Sequence, residues 1–157
     1  MCENGAMVRQ ASIGDVDALV ELRAEMFRAM GSVTDDERWR TNAVDWFIGR
    51  LDDSDYSIFV VEQNGVVVAC AVGAVRDAAP SPMSPDGGDV LISNVCTAPD
   101  ARGNGNGFGR RAFESVMAWA RETGIARAEL MATPSGEGIY QRNGFVTNAF
   151  PAMRAQL

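Results

Sequence analysis

ARGNGNGFGRR, residues 101–111, places glycine at positions 103, 105, 107 and 109 and runs without a break into RRAFESVMAWARETG, residues 110–124. Across the two stretches Phe108, Ala112, Val116 and Ala120 stand four apart, with Gly124 behind them. That spacing predicts a helix with a glycine stop. DVLISNVCTA, residues 89–98, reads as a strand before the glycines, and ARAELMAT, residues 126–133, as a strand after the helix. The whole is one β-α-β unit. Glycine costs about 1 kcal/mol against alanine in a helix interior, so four of them at a helix entrance need a reason. Glycines let the backbone turn until several N–H groups converge, at a helix start that already has unpaired N–H groups and partial positive charge. They also let a bulky anion approach without meeting a Cβ, and phosphate or pyrophosphate is the usual guest. Arg102, Arg110 and Arg111 add positive charge locally in a chain of net charge −7. The plainer alternative is a left-handed turn that holds nothing.

Two common phosphate motifs are excluded. The spacing G-x-G-x-x-G fails because position 108 is Phe and position 110 is Arg. A Walker A loop needs a lysine, and all 14 cationic side chains of this protein are arginines. The chain has no histidine either. Ser-His-Asp and Cys-His catalysis, His-ligated zinc and Schiff-base chemistry are thereby excluded. Cys2, Cys70 and Cys96 lack metal-ligand spacing, so no metal site is expected. The acidic balance argues against nucleic acid as a partner; it suits a cationic partner, and equally plain solubility.

The 157 residues fit one domain with a normal core. No apolar run reaches the roughly 20 residues of a membrane helix, and MCENGAMVRQ has no signal-peptide character. A cytoplasmic protein without membrane partners is the expectation. AMVRQAS, residues 6–12, reads as a first strand. Ser12 stands three residues before Asp15, a helix-start pattern, and DVDALVELRAEMFRAMG follows with helical spacing to Gly31. Thr34 and Glu37 form a capping-box pattern ahead of a second helix, RWRTNAVDWFIGRLDD. YSIFVVEQ and VVVACAVGAV flank Asn64-Gly65, a hairpin signal. Residues 78–88 read as a loop. SGEGIYQRNG reads as a short helix ending at Gly144, and residues 145–157 as a terminal hairpin. The expected order is β-α-α-β-β-β-α-β-α-β-β, a mixed α/β fold with a mostly antiparallel central sheet flanked by helices. Ligands of such folds sit outside the carboxyl ends of strands, beside the glycines.

Arg102-x-x-Gly105-x-Gly107 after the strand LISNVCTA, with Tyr140-x-x-x-Gly144-Phe145 farther on, resembles the GNAT family of acyl-CoA N-acyltransferases. The opening VRQASIGDVDALVELR extends the resemblance over nearly the whole chain, as a single N-acetyltransferase domain, residues 1–157. The resemblance implies acetyl-CoA as cosubstrate. It assigns the pyrophosphate to Arg102, Gly103, Asn104, Gly105, Asn106 and Gly107, with Phe108 at the helix start. It assigns backbone pairing with the pantetheine arm to Val95 and Thr97, with Cys96 between them facing the other way. Tyr140 becomes the acid that protonates the leaving thiolate. Asn106 departs from the family, which commonly has an apolar residue there.

The implied reaction is direct attack of an amine on a thioester, with proximity supplying much of the rate. A lysine-like amine is neutral in only about one molecule in 2,500 at pH 7, so a base or a water chain is expected. Many members carry a Glu on the strand before the phosphate turn. This strand has none, and Asp89 near its start is the candidate, beside the reading that it ends a loop. The family selects acceptors with its first two helices, their connection and the last hairpin. Asp35, Asp36 and Glu37 could attract a cationic amine, or simply offset a helix dipole; Trp39, Trp46 and Phe47 could wall the acceptor pocket or belong to the core. The loop at 78–88 could cover the site or do nothing. The acceptor is read as a small primary amine, with amino sugars, amino acids, polyamines and peptide N-termini open, and a homodimer is allowed. The competing readings are an acyl-CoA sensor without turnover and a nucleotide binder of another class.

Overall fold

Residues 5–103 and 105–157 are described by a computed structural model. The elements are β1 (Ala6–Gln10), α1 (Val16–Ala29), α2 (Arg38–Ile48), β2 (Tyr56–Gln63), β3 (Val66–Arg76), β4 (Asp89–Thr97), α3 (Phe108–Glu122), β5 (Ala128–Glu129) and α4 (Glu137–Arg142). Short 3-10 turns precede α1 and follow β4. The order follows the sequence expectation through α4. The terminal hairpin is not formed: residues 146–157 carry no strand, and Val146, Phe150 and Met153 are more than four-fifths exposed. With no buried face to fix a register, and Pro151 unable to donate to a ladder, these residues have nothing to pair for. The strand expected at 126–133 shortens to two paired residues for a related reason, since Met131 is exposed. No helix among the described residues is long and apolar enough to cross a membrane.

The sheet runs β1-β2-β3-β4-β5. The first four strands pair antiparallel and β5 joins β4 in parallel. Asn64 and Gly65, with φ of 52° and 78°, form the tight turn between β2 and β3 that their sequence demands. Period-two alternation along β3 divides the core. Ala69 and Ala71 face Phe113, Val116 and Ala120 of α3, whereas Cys70 and Val72 face Leu19, Val20 and Leu22 of α1 and Phe47 of α2. β3 is therefore buried on both sides, and its run of small and branched residues follows from that. Gly73 has a packing reason: a Cβ there would stand 2.6 Å from the Trp119 ring and 2.8 Å from Val116.

The start of α1 depends on one buried carboxylate. Asp15 accepts from Arg9 of β1 at 2.6 and 2.9 Å and from the Ser12 backbone N–H at 2.8 Å. Arg9 also reaches Glu62 of β2. The Arg9 guanidinium holds the Asp15 carboxyl below the usual carboxylate range. A lowered folded-state value means stability that is present above about pH 4 and is lost as pH falls through the folded value. Asp15→Asn is expected to cost about 1–3 kcal/mol at pH 7, the scale of a buried partner lost. Denaturant melts should show the gap from wild type closing toward pH 3; a constant gap would mean that the charge of Asp15 contributes nothing.

α2 starts differently from its sequence pattern. The Asp36 carboxylate accepts the Arg38 backbone N–H at 3.0 Å, while Glu37 turns to Arg40 at 2.8 Å. Glu37 is the N-cap residue by position, its side chain makes no cap bond, and the expected Thr34–Glu37 box is absent; Asp36 satisfies the first N–H instead.

Candidate active site

β4 changes its pairing part-way along. Val72 lies opposite Ser93 and Cys70 opposite Cys96, so Asn94 and Val95 together face Ala71. This is a β-bulge, and Asn94 takes the positive φ of 54° that it needs. The backbone turns over as a result. Before the bulge the Val90 N–H points to β5, donating to Arg127 O at 2.9 Å; beyond it the Ala98 N–H points to β3, donating to Val68 O at 2.7 Å. By strand alternation the N–H groups of Val95 and Thr97 therefore point away from β3. On that side β5 pairs only with Val90 and Leu91. The second half of β4 is an open edge beyond the bulge.

The side chains follow the expected alternation. Val95 packs in the α3 layer and Cys96 in the α1 layer, where its Sγ lies 3.1 Å from Leu22 O. Burial pushes the thiols of Cys70 and Cys96 up, so both are inert, apolar fillers.

The open edge leads into the glycine turn. Gly103, Gly105 and Gly107 have φ of 79°, 69° and 61°, a backbone that favours glycine, and a Cβ at 103 or 105 would meet nothing within 4 Å. The backbone at Gly103 and Gly105 is thus open on its Cβ side, ahead of α3. The first N–H groups of α3 precede its earliest intrahelical bond, from Arg111 N–H to Gly107 O at 2.9 Å. Phe108 is buried and anchors the helix start. Gly109 lets α3 close on the end of β4, since a Cβ there would stand 2.7 Å from Thr97 Oγ1. Arg102 is turned back: its Nε donates to Thr97 O at 2.8 Å, and Glu25 lies 4.0 Å from its guanidinium. Asn104 lies outside the described residues. Asn106 lines a cavity of about 500 Å3 beside Val66–Val68 and Ala98.

Tyr140 comes from α4 into the same layer. It is 9% exposed and packs edge-on against Phe113, with ring centroids 5.0 Å apart, and against Phe145. Phe108 and Ile92 belong to the same cluster. The phenol is thereby drawn to the α3 side of β4, and burial raises its pKa above 10. Asp89 is not part of this grouping. It sits at the far end of β4, and both its oxygens are taken by Arg76, at 2.7 and 2.8 Å. Asp89→Asn should destabilise the fold by about 1–3 kcal/mol, because Arg76 loses a buried partner. Equal thermal stability together with a collapse of turnover would instead make Asp89 the base.

On the opposite face of the sheet a cavity of about 1020 Å3 opens between α1 and α2, with Ser93 and Asn94 of β4 in its lining. Trp39, Trp46 and Phe27 wall it, and Phe47 closes it from the core. Asp35 and Asp36 do not line it; Asp36 is bound to Arg38. Residues 78–88 fold on themselves through Ser81, Ser84 and a bond from Gly88 N–H to Ala78 O, and line neither cavity. The bulge and this cavity carry no obvious sequence signal. Asn94 at the middle of the strand DVLISNVCT is the available clue, since Asn is depleted in strands and tolerates positive φ.

The sequence matches the Acetyltransferase (GNAT) family over residues 16–145. The chain belongs to this family. Membership indicates an acyl-CoA-dependent acetyltransferase, and the five-stranded mixed sheet flanked by helices is the GNAT architecture. A GCN5-related N-acetyltransferase from Ralstonia eutropha is similar in structure, with a TM-score of 0.79, 28% identity, and 96% of this chain covering 99% of that one. A predicted acetyltransferase from Clostridium acetobutylicum, solved with acetyl-CoA, has a TM-score of 0.81 at 23% identity, with 95% and 96% covered. Glucosamine-6-phosphate N-acetyltransferase from Arabidopsis thaliana shares the fold at 16% identity, with a TM-score of 0.72 and 96% and 97% covered. No curated protein is significantly similar to this GNAT chain in sequence. Among the described residues no group of three or more Cys, Asp or Glu side chains could hold a metal ion.

Proposed function

We propose that this protein transfers the acetyl group of acetyl-CoA to a primary amine of a small molecule. One observation carries the reading: an open strand edge beyond the Asn94 bulge leads, through the 3-10 turn after β4, into an open glycine turn at a helix start. The edge offers N–H groups at Val95 and Thr97 for an extended amide-bearing arm, and the turn offers N–H groups for a pyrophosphate. These features fit acetyl-CoA in order along the chain. When bound, acetyl-CoA would supply an activated thioester carbon for the amine to attack.

The protein's own residues divide the remaining work. Gly103 and Gly105 hold the phosphates without side-chain obstruction, and at Gly107 the Arg110 guanidinium lies where a Cβ would stand, 2.9 Å from it. The α1–α2 cavity holds the amine against the lining residues Ser93 and Asn94, so the reacting atoms meet on β4. Tyr140 keeps its proton through the neutral range because burial disfavours the phenolate, and it gives that proton to the departing thiolate. Asp89 serves the fold, since Arg76 occupies both its oxygens.

Calorimetric titration with acetyl-CoA, using ATP as the control ligand, tests the donor. Micromolar binding, about −8 kcal/mol, selective over ATP is the expected result. Thiol release with an amine present then separates an enzyme from a sensor. Absence of acetyl-CoA binding would overturn the reading.

A further inference from the structure

The α1–α2 cavity has three guanidinium groups in its lining, those of Arg23, Arg28 and Arg40, and one carboxylate, Glu37. Two of the arginines are already neutralised: Arg28 pairs with Glu25, and Arg40 with Glu21 and Glu37. Arg23 differs. Among the described residues no carboxylate lies within 4.0 Å of it, and its protein contacts are Asn94 Oδ1 at 3.1 Å and the Phe27 ring, 4.8 Å from the guanidinium carbon. It is half-buried, and burial works against its charge. A partly desolvated guanidinium with one of five donors engaged is an incomplete site.

Its position makes the site specific. Asn94 is the bulge residue of β4, buried, with its Nδ2 held 3.4 Å from Cys70 Sγ. Arg23 is therefore held beside the strand on which the acetyl group is to be transferred. It is far from a rim charge that only steers ligands inward.

We propose that the acceptor is an amine that also bears an anionic group, carboxylate or phosphate, and that Arg23 binds this group beside Asn94. The proposal rests on the acetyltransferase reading above. A planar guanidinium receives an oxyanion through paired hydrogen bonds, which an ammonium does not reproduce. The Trp39, Trp46 and Phe27 walls suit an apolar body on the same molecule. Cationic amines such as polyamines are disfavoured, because the cavity's one carboxylate is already bound to Arg40.

Matched amines test this in the full chain with acetyl-CoA, read by thiol release: phenylalanine against phenylalaninamide, and glucosamine 6-phosphate against glucosamine. The first pair reports a carboxylate and the second a phosphate. In the pair that is used, kcat/KM should favour the anionic member by roughly 10- to 100-fold, the size of a charge-assisted hydrogen bond. Amine basicity cannot cause that preference in the first pair, because the amide has the less basic and more readily neutral amine. Arg23→Gln should reduce the preference to within about threefold, through KM, while acetyl-CoA affinity stays at the wild-type value. Arg23→Lys should keep a part of it. Equal or reversed preference in wild type overturns the proposal, as does full discrimination in Arg23→Gln. Acetyl-CoA binding without turnover of any of the four amines also overturns it. Absence of acetyl-CoA binding instead overturns the acetyltransferase reading on which it stands.

Discussion

Gly105→Asp is expected to weaken acetyl-CoA binding at least about 100-fold while leaving the protein folded. Two costs combine. Position 105 has a φ of +69°, a conformation that costs a residue with a Cβ about 1–2 kcal/mol. The carboxylate would also point into the space that a pyrophosphate needs, and like charges at that range repel strongly in a partly enclosed site. No protein atom within 4 Å opposes the new Cβ, so the substitution strikes the ligand and spares the packing. Gly105→Ala separates the two costs, since it adds the strain without the charge. Calorimetry on both variants, with melting temperatures alongside, reads the result directly. Wild-type affinity in Gly105→Asp would mean that the phosphates lie elsewhere.

Tyr140→Phe should lower kcat by about 100-fold or more, the range of a lost general acid, with acetyl-CoA affinity unchanged. The ring is kept, so its contacts with Phe113 and Phe145 survive and the melting temperature should barely move. The sign of the pH dependence follows from burial. The reactive form is the protonated phenol, present below its pKa, and that pKa is raised above the ordinary 10. Any fall in kcat between pH 7 and about 9, well below that pKa, must then belong to another group and must be the same in Tyr140→Phe. Unaltered turnover in the variant would remove the general-acid role.

Local signals in this sequence were legible where short-range chemistry decides the structure. Asn64-Gly65 forces a tight hairpin, Gly124 ends α3 at φ 74°, and the four-residue spacing from Phe108 to Ala120 is the buried stripe of that helix. The glycines at 103, 105 and 107 could be read as a turn with left-handed backbone because glycine tolerates that conformation best. Features set by distant partners were not legible. Arg23 lies in ELRAEMF, where an arginine looks like an ordinary helix-surface residue; its meaning comes from Asn94, 71 positions away. Asp89 reads as a possible base in the sequence, and its partner Arg76 comes to it only across the β3–β4 pair. The terminal hairpin expected over residues 145–157 is missing for the converse reason: among the described residues no neighbour offers it a face to bury.

The Asn94 bulge also has a consequence for how the gene can tolerate length changes. Deleting one codon among those for 93–95 would let the β3–β4 ladder run on in uninterrupted phase. With Asn94 removed, Val95 alone would face Ala71 while Cys96 and Thr97 keep Cys70 and Ala69 as partners, so the outward N–H groups of Val95 and Thr97 would stay as they are. The sheet would be more regular, but the left-handed Asn94 backbone would go with the bulge, and with it the placement of the Asn94 side chain against Arg23. A deletion of equal size among residues 79–86, in a loop that lines neither cavity, carries no such penalty. Frame-preserving deletions should therefore be purged at the centre of β4 and accumulate one loop upstream.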